Sequence, residues 1–277
     1  MEYCVAKNLE EAFALLSSRT GSKPIAGGTD LAVTLADGLI APERLVDISA
    51  IPSLRGIRVT ARGISIGATT SIAEIASRAN LPACLVQGAR AIGSPQIRTL
   101  ATIGGNACNA SPCGDTLAPL VALAAVFVLA SAAGTREVPA EEFFLGPKKT
   151  VLRTEELLVE IRIGAEHLRG GSGFRMIGKR NGQAISQANA AVWLDLEAGV
   201  IREARAAVGS VAPVPLRLRK TEELLRGKAR NALDMGKVLE SVDSEIAPIS
   251  DIRATVEYRR LVTGSLFGEA LHEALGN

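Results

Sequence analysis

The chain has 277 residues, a formal net charge of +2, 47% hydrophobic residues and 22% charged residues. These values are typical of a globular protein and exclude an intrinsically disordered or fibrous chain, and the length predicts about two domains. Because the chain has only one Trp, two Tyr and six Phe and no block of lysines and arginines, we do not expect a nucleic-acid partner.

Short helices and strands alternate along the first half of the chain. Asn8 and Glu11 form a capping pattern that predicts a helix ending near Ser18. The apolar run 117–133 contains Pro119, so we expect a buried helix and a buried strand there and no membrane span. Periodicity and turn residues predict further helices at 31–39, 71–79, 82–92 and 116–124, and strands at 23–26, 44–48, 56–60, 63–67 and 125–130.

The second half has strands first and helices afterwards. Gly170, Gly171 and Gly173 mark either a domain boundary near residue 170 or an ordinary approach to a hairpin. Strands followed by helices are typical of a small α+β domain. The predicted strands span 136–145, 157–163, 173–177, 188–196 and 201–209, and the predicted helices span 217–226, 232–242 and 253–275.

Several kinds of catalytic site are not supported. No stretch matches the P-loop motif, and Met176 stands where a Rossmann fingerprint beginning at Gly171 would need its third glycine. His167 and His272 lie outside any metal-binding arrangement, and no pair of carboxylates stands out as an acid and a base. We therefore predict no catalytic side chain, and the chain is typical of a protein that holds a phosphate-bearing cofactor.

The four cysteines give neither a disulfide framework nor a metal site. Residues 1–7 lack a basic start and an apolar signal core, so we expect a cytoplasmic chain whose thiols stay reduced. Cys108 and Cys113 would need a third cysteine at position 116 to form an iron–sulfur motif, but Thr116 stands there. We expect these two thiols to pack in a loop or to line it.

Two segments share a pair of glycines followed by small polar side chains. The first glycine segment, AGGTDL, spans residues 26–31 and follows a predicted strand; the second, TIGGN, spans residues 102–106. Glycine permits positive φ and lets consecutive backbone amides converge on a phosphate. An ordinary turn is the alternative for either segment alone. Their occurrence together favours a phosphate site, with Asn106, Asn109 and Asp115 as polar partners beside it.

The chain resembles the FAD-binding medium subunit of the molybdenum hydroxylases, the family that includes xanthine and carbon monoxide dehydrogenases. Besides the two glycine segments, the resemblance is carried by the blocks LVDISAIPSLRGI (45–57), SPQIRTLATIGGN (94–106), NASPCGDTLAPLVAL (109–123), FFLGPKKTVLRTEELL (143–158) and VGSVAPVPLR (208–217). It covers nearly the whole chain. It implies an α+β fold in which a two-subdomain FAD-binding domain of the vanillyl-alcohol oxidase type (1–170, subdomains about 1–56 and 57–170) precedes a small C-terminal α+β domain (171–277).

The resemblance also implies a noncovalent FAD site. The first glycine segment would bind the pyrophosphate, the second would reach the phosphates and the ribityl chain, Asp115 would accept hydrogen bonds from the adenosine ribose, and Leu158 would lie beside the flavin. Many relatives carry a lysine where Met176 stands, and Arg175, Lys179 or Arg180 could compensate. The implied cofactor-binding residues are Ile25, Ala26, Gly27, Gly28, Thr29, Asp30, Leu31, Thr102, Gly104, Gly105, Asn106, Asn109, Asp115 and Leu158.

The function implied by the resemblance is electron transfer inside a larger enzyme. Electrons would pass from two [2Fe-2S] clusters on a small partner subunit through FAD to NAD, quinone or oxygen. The molybdenum cofactor would sit on a large partner subunit, in a heterotrimer or its dimer, and this chain would hold no metal. Two alternatives remain open from sequence: a self-sufficient FAD-dependent oxidoreductase and a non-catalytic nucleotide-binding scaffold subunit.

Overall fold

The computed structural model describes residues 1–276. Its helices are Leu9–Ser17 (α1), Leu31–Ala36 (α2), Ile72–Ala76 (α3), Ala83–Ala91 (α4), Pro95–Leu100 (α5), Ile103–Asn109 (α6), Leu117–Ala122 (α7), Ala140–Phe143 (α8), Arg219–Leu225 (α9), Met235–Glu245 (α10) and Val256–Ala274 (α11). Its strands are Glu2–Val5 (β1), Ser22–Ile25 (β2), Arg44–Asp47 (β3), Ile57–Thr60 (β4), Gly63–Gly67 (β5), Val126–Ser131 (β6), Gly134–Pro139 (β7), Phe144–Gly146 (β8), Lys149–Thr150 (β9), Leu157–Gly164 (β10), Gly171–Gly178 (β11), Ser186–Glu197 (β12), Val200–Gly209 (β13) and Leu216–Arg217 (β14).

A small parallel sheet begins the chain, with strand order β1-β3-β2. The predicted cap of α1 is confirmed, since the Asn8 side chain accepts a 2.8 Å hydrogen bond from the Glu11 amide. Ala12 and Leu16 of this helix are buried with Val46 of the central strand. Pairing in this sheet therefore fixes the position of the end of β2, directly before the first glycine segment.

The second sheet is antiparallel, with strand order β4-β5-β10-β6-β7. Its core includes fully buried Ile66, Phe127 and Ile161, which belong to one cluster with apolar residues of α3, α4, α6 and α7. The Phe127 ring meets the Phe143 ring edge to face, with centroids 4.7 Å apart. This packing positions β10, which carries Leu158, and α6, which contains most of the second glycine segment.

The third sheet, in the order β11-β12-β13-β14, belongs to the C-terminal part of the chain. Nine consecutive residues of β12, from 186 to 194, are buried. Ala191 and Trp193 pack with the preceding sheet's core, whereas Ala190 and Val192 pack with the cluster that includes α10 and α11. A strand buried on both faces explains the apolar run at residues 190–194.

Trp193 lies at the contact between the two parts. Its Nε1 donates a 2.9 Å hydrogen bond to the Arg169 carbonyl, and its ring centroid lies 4.6 Å from that of buried His167. Both partners belong to the connection between β10 and β11, and His167 lies in its short 3-10 helix, Ala165–Leu168. The connection is thus packed against the C-terminal sheet.

The predicted mixed α+β fold class is confirmed, but two local predictions are wrong and one strand was not predicted. The predicted strand at 136–145 is broken, because β7 ends at Pro139 and a turn of helix, α8, carries Phe143 into the core. Strand β1 is absent from the predictions. The second glycine segment is not a loop, since Thr102 caps α6 and the glycines lie in its first turn. Within residues 1–276, no helix is both long and apolar enough to cross a membrane.

Candidate cofactor-binding site

The first glycine segment connects β2 to α2 and leaves a run of backbone donors available. Gly28 has a φ of +69°, in the left-handed region that glycine adopts without strain. Within the described part of the chain, the amides of residues 27–31 donate to no protein acceptor, and the Asp30 side chain makes no capping bond. Successive unpaired amides in a turn are suited to binding an anion such as a diphosphate.

The amides of the second glycine segment are used inside the protein. The Gly104 amide donates to the Ala68 carbonyl at 2.8 Å, and the Asn106 amide donates to the Thr102 carbonyl at 2.9 Å. The Gly105 amide donates to Thr102 Oγ1 at 3.0 Å. A Cβ on Gly104 would lie 2.6 Å from the Ala68 Cβ. These glycines therefore permit close backbone packing, and the expected convergence of their amides on a phosphate is not seen.

The first glycine segment packs against residues that flank the second. A Cβ on Gly27 would lie 1.9 Å from the Leu100 carbonyl oxygen, so the backbone at Gly27 touches the chain just before the second segment. Asn109 Nδ2 donates a 2.7 Å hydrogen bond to Asp30 Oδ2. Lys148 Nζ donates to Asn109 Oδ1 at 2.6 Å and lies 3.3 Å from Asp30 Oδ1. These contacts place a half-exposed cation beside Asp30 of the first segment and Asn109 at the end of α6.

Lys148 is a site residue that the sequence predictions missed. Its backbone has a φ of +61°, and its amide donates to the Ala110 carbonyl at 2.9 Å. The turn is therefore fixed next to the end of α6. The only signal in the sequence is the pair of lysines at 148 and 149, inside one of the blocks that carry the family resemblance.

A mostly apolar cavity of about 130 Å³ lies between the segments and β10. Five of the predicted site residues line it, namely Ala26, Thr102, Gly104, Gly105 and Leu158. Exposed Cys108 also lines it. A ligand pocket commonly measures 300–1,000 Å³, so this cavity holds only part of a dinucleotide. A larger cavity of about 240 Å³ near Arg55 and Arg58 contains none of the predicted residues.

Glu156 gives the cavity wall a fixed negative charge. Arg136 Nε and Nη2 donate to its two carboxylate oxygens at 2.7 and 2.8 Å. The Arg153 amide donates a third bond of 2.9 Å. These donors, Arg136 foremost, lower the pKa of Glu156 to about 2. The carboxylate is thereby held against Arg136 of β7 and ties the segment 153–156 to the sheet.

Asp115 is buried beneath the second glycine segment. It is 4% exposed and does not line the cavity. Asn189 Nδ2 donates a 3.2 Å hydrogen bond to its Oδ1, and burial raises the pKa of Asp115 to about 7. Nearby, Asn106 Oδ1 accepts a 2.6 Å bond from Thr116 Oγ1. Both predicted polar residues thus have protein partners in this structure.

Many relatives carry a lysine where Met176 stands. In this structure the basic residues near that position bind other protein groups. Met176 is half-buried against the core. Arg175 forms ion pairs with Glu269 and Glu273. Lys179 Nζ donates to the Ile252 carbonyl at 2.7 Å, and Arg180 bonds to the Gln183 carbonyl. Among the described residues, no group of three or more His, Cys, Asp or Glu side chains could hold a metal ion.

The sequence matches two known families along its length. Residues 1–165 match the FAD binding domain in molybdopterin dehydrogenase, and residues 174–274 match the carbon monoxide dehydrogenase flavoprotein C-terminal domain. The chain belongs to the FAD-binding subunits of the molybdenum-containing dehydrogenases. Membership in these FAD-binding subunits confirms the predicted family, the oxidoreductase class and FAD as the cofactor.

Individual FAD-binding subunits match over almost their whole length. The carbon monoxide dehydrogenase medium chain of Hydrogenophaga pseudoflava is 33% identical, over 99% of this chain and 96% of the relative. The xanthine dehydrogenase FAD-binding subunit of Escherichia coli O157:H7 is 32% identical, over 99% and 95%. A solved carbon monoxide dehydrogenase from H. pseudoflava, lacking the Mo-pyranopterin moiety of its cofactor, has a TM-score of 0.92 at 33% identity and covers 100% of this chain and 97% of its own.

The residues present fit the phosphate part of FAD. A diphosphate requires several convergent donors and a nearby cation. Residues 27–31 supply five amides without protein acceptors, and Lys148 lies within salt-bridge distance of Asp30 in the same segment. The adjoining apolar cavity, walled by Leu152 and Leu158, is suited to an aromatic group.

Proposed function

We propose that this chain is the electron-transfer flavoprotein subunit of a cytoplasmic molybdenum-containing hydroxylase and holds FAD between its two glycine segments. The observation that carries the proposal is the run of five backbone amides, residues 27–31, without protein acceptors. Lys148, a cation, contacts the Asp30 side chain of the same segment and Asn109, which follows the second segment. Family membership identifies FAD as the cofactor, and these free amides are the donors that would bind its phosphates.

The proposed roles follow from the position of each group. The amides from Ala26 to Leu31, after the end of β2 at Ile25, bind the pyrophosphate. The second glycine segment and Asn109 line the approach to it, Asp115 accepts the ribose hydroxyls, and Leu158 packs against the flavin. We assign this FAD-binding part to residues 1–170 and the C-terminal domain to 171–277.

When bound, FAD supplies the redox chemistry that takes electrons from the [2Fe-2S] clusters of a small partner subunit to NAD, quinone or oxygen. The large partner holds the molybdenum cofactor. The residues of this chain bind and orient FAD: the free amides bind its phosphates, and Leu152 and Leu158 exclude water from the cavity. No side chain of this chain is assigned a proton-transfer step.

The test begins with FAD binding by the full chain. The purified protein, stripped of cofactor and titrated with FAD, should take up one FAD per chain with restored flavin absorbance. No uptake would overturn the proposal. For glycine-to-alanine variants in the two glycine segments, Gly146→Ala is a suitable control, since a Cβ there meets nothing within 4 Å.

A second experiment separates electron transfer from the other enzyme classes. The complex purified with its neighbouring subunits is mixed with substrate, and flavin absorbance is followed by stopped flow. Bleaching in the complex and none in the isolated chain supports the proposed role. Bleaching of the isolated chain by a small substrate would instead indicate a self-sufficient oxidoreductase, and no bleaching in the complex would indicate a scaffold.

A further inference from the structure

A buried polar cluster joins the loop after α6 to the third sheet. Asp115 comes from the loop, and Ser186 and Asn189 come from β12. Asp115 is 4% exposed, and both β12 residues are fully buried. The Ser210 amide donates a 2.8 Å hydrogen bond to the Pro112 carbonyl and so ties the same loop to the end of β13. The carboxyl group of Asp115 therefore lies against the C-terminal part of the chain.

Asn189 is held in one place by its surroundings. Its Nδ2 donates to Asp115 Oδ1 at 3.2 Å and lies 3.3 Å from Ser186 Oγ. Its register partner on β13 is Gly209, where a Cβ would lie only 2.5 Å from Asn189 Oδ1. That glycine makes room for the amide against the neighbouring strand. Within residues 1–276, Asn189 Oδ1 has no hydrogen-bond partner, so the side-chain hydrogen bonds of Asn189 are those that its Nδ2 donates to Asp115 and Ser186.

A neutral hydrogen-bond donor stabilises the ionised form of Asp115. Among the described residues it forms no ion pair, and its side chain accepts a hydrogen bond from Asn189 Nδ2, while the Ser186 hydroxyl donates to the Ala188 carbonyl. Burial raises its pKa to about 7, and the hydrogen bond from Asn189 acts in the opposite direction. A carboxylate taken out of water without a cation needs such donors to remain ionised.

We propose that Asn189 is a positioning residue for Asp115: it orients and supports the carboxylate that accepts the ribose hydroxyls of FAD. The cofactor site of the first part of the chain is then completed by a strand of the second. This inference rests on the proposed function and adds a residue that makes no contact with the cavity. Affinity for the adenosine half of FAD thus depends on the contact between β12 and the loop at Asp115.

The test measures the Kd of FAD for the full chain between pH 5.5 and 9, with FMN as a probe that lacks the adenosine. Wild-type affinity for FAD should rise as pH increases through about 7, because the ionised Asp115 accepts the ribose hydroxyls. Asn189→Leu should weaken FAD binding about tenfold at pH 7 and move this rise to higher pH. FMN binding should change less than twofold.

Two further variants sharpen the result. Asp115→Asn should remove the pH-dependent rise, and adding Asn189→Leu to it should cause no further loss, because both changes act on one contact. Gln187→Leu is the matched control: Gln187 is buried in the same strand but bonds to the Arg253 carbonyl, so FAD affinity should stay within twofold. Asn189→Ser serves as the second variant if the leucine variant does not fold.

The outcomes separate the two proposals. If Asp115→Asn weakens FAD binding while both Asn189 variants bind FAD with the wild-type Kd and pH profile, the role of Asn189 is overturned and the proposed function stands. Equal loss of FAD and FMN in folded Asn189 variants also overturns it, since FMN has no adenosine ribose. Failure of the wild-type chain to bind FAD would overturn the proposed function itself.

Discussion

Asn109 Nδ2 donates a 2.7 Å hydrogen bond to Asp30 Oδ2, and this contact joins the first glycine segment to the end of α6 across 79 residues of sequence. Lys148 lies 3.3 Å from the other oxygen of Asp30 and 2.6 Å from Asn109 Oδ1. The three side chains form one network at the edge of the site. The relative position of the segments is thus set by side chains as well as by the sheets beneath them.

Removing Lys148 should weaken FAD binding selectively. Because Lys148→Met deletes the cation that contacts Asp30 in the segment of free amides 27–31, we expect a Kd for FAD about tenfold higher at low salt. The difference should shrink as ionic strength screens the charge. Lys149→Met is the matched control, since Lys149 is an exposed neighbour in β9. Equal effects of the two substitutions, measured by flavin titration, would contradict a specific role for Lys148.

Gly27 and Gly268 should respond oppositely to alanine. A Cβ at position 27 would lie 1.9 Å from the Leu100 carbonyl oxygen, so Gly27→Ala should lower the free energy of unfolding by about 3 kcal/mol. Gly268 lies in α11 with no atom within 4 Å of a Cβ, so Gly268→Ala should raise it by about 0.5–1 kcal/mol. Urea denaturation of the two variants checks this; a neutral Gly27→Ala would contradict the close contact between Gly27 and Leu100.

The pair Arg136–Glu156 should make stability depend on pH in the acid range. The pKa of Glu156 is lowered from 4.5 to about 2 by its Arg136 and Arg153 donors. Its contribution is therefore complete above about pH 4.5 and is lost as pH falls toward 2. Glu156→Gln should cost about 2 kcal/mol at pH 7, and the difference from wild type should shrink in acid.

The control for this measurement is Glu155→Gln. Glu155 is an exposed neighbour, and it forms no salt bridge among the described residues. Its substitution should leave unfolding within about 0.5 kcal/mol of wild type at every pH. Thermal or urea unfolding between pH 2 and 7 gives both curves, and a constant difference for Glu156→Gln across this range would refute the role of the ion pair.

Cys108 should be protected from alkylation by FAD. Its side chain is exposed and lines the cavity between the glycine segments, whereas Cys84 is fully buried and out of reach of a reagent in the folded chain. Iodoacetamide should therefore label Cys108 in the stripped chain and not Cys84. Added FAD should slow labelling of Cys108 at least tenfold, as followed by peptide mass spectrometry. Unchanged labelling at saturating FAD would place the cofactor elsewhere.

Local signals in the sequence predicted much of the fold. The Asn8 cap, the strands of the second sheet and the apolar run of β12 all follow from capping or burial patterns that act over a few residues. Strand β1 was missed because Glu2–Val5 is short, mostly exposed and stabilised by pairing with β3, more than 40 residues away. Such pairing leaves little trace in the local sequence.

The site was predicted less completely than the fold. Glycine and asparagine at 104–106 favour a turn, yet Thr102 caps a helix there, and the Gly104 amide finds its acceptor at Ala68. Ala68 is distant from Gly104 in sequence, so this hydrogen bond forms only in the folded chain. Lys148 was missed for the same reason, since its contact with Asp30 spans 118 residues. Residue types identified the two segments, but which amides remain free depends on the folded chain.

Trp193 has a practical consequence for experiments on this protein. It is the only tryptophan in the chain, its indole bonds to the Arg169 carbonyl, and its ring lies against His167. Burial lowers the pKa of that histidine, which keeps the imidazole neutral in the packed state. Tryptophan fluorescence therefore reports on one place, the contact between the β10–β11 connection and the C-terminal sheet. A change in this emission would show whether that contact is intact.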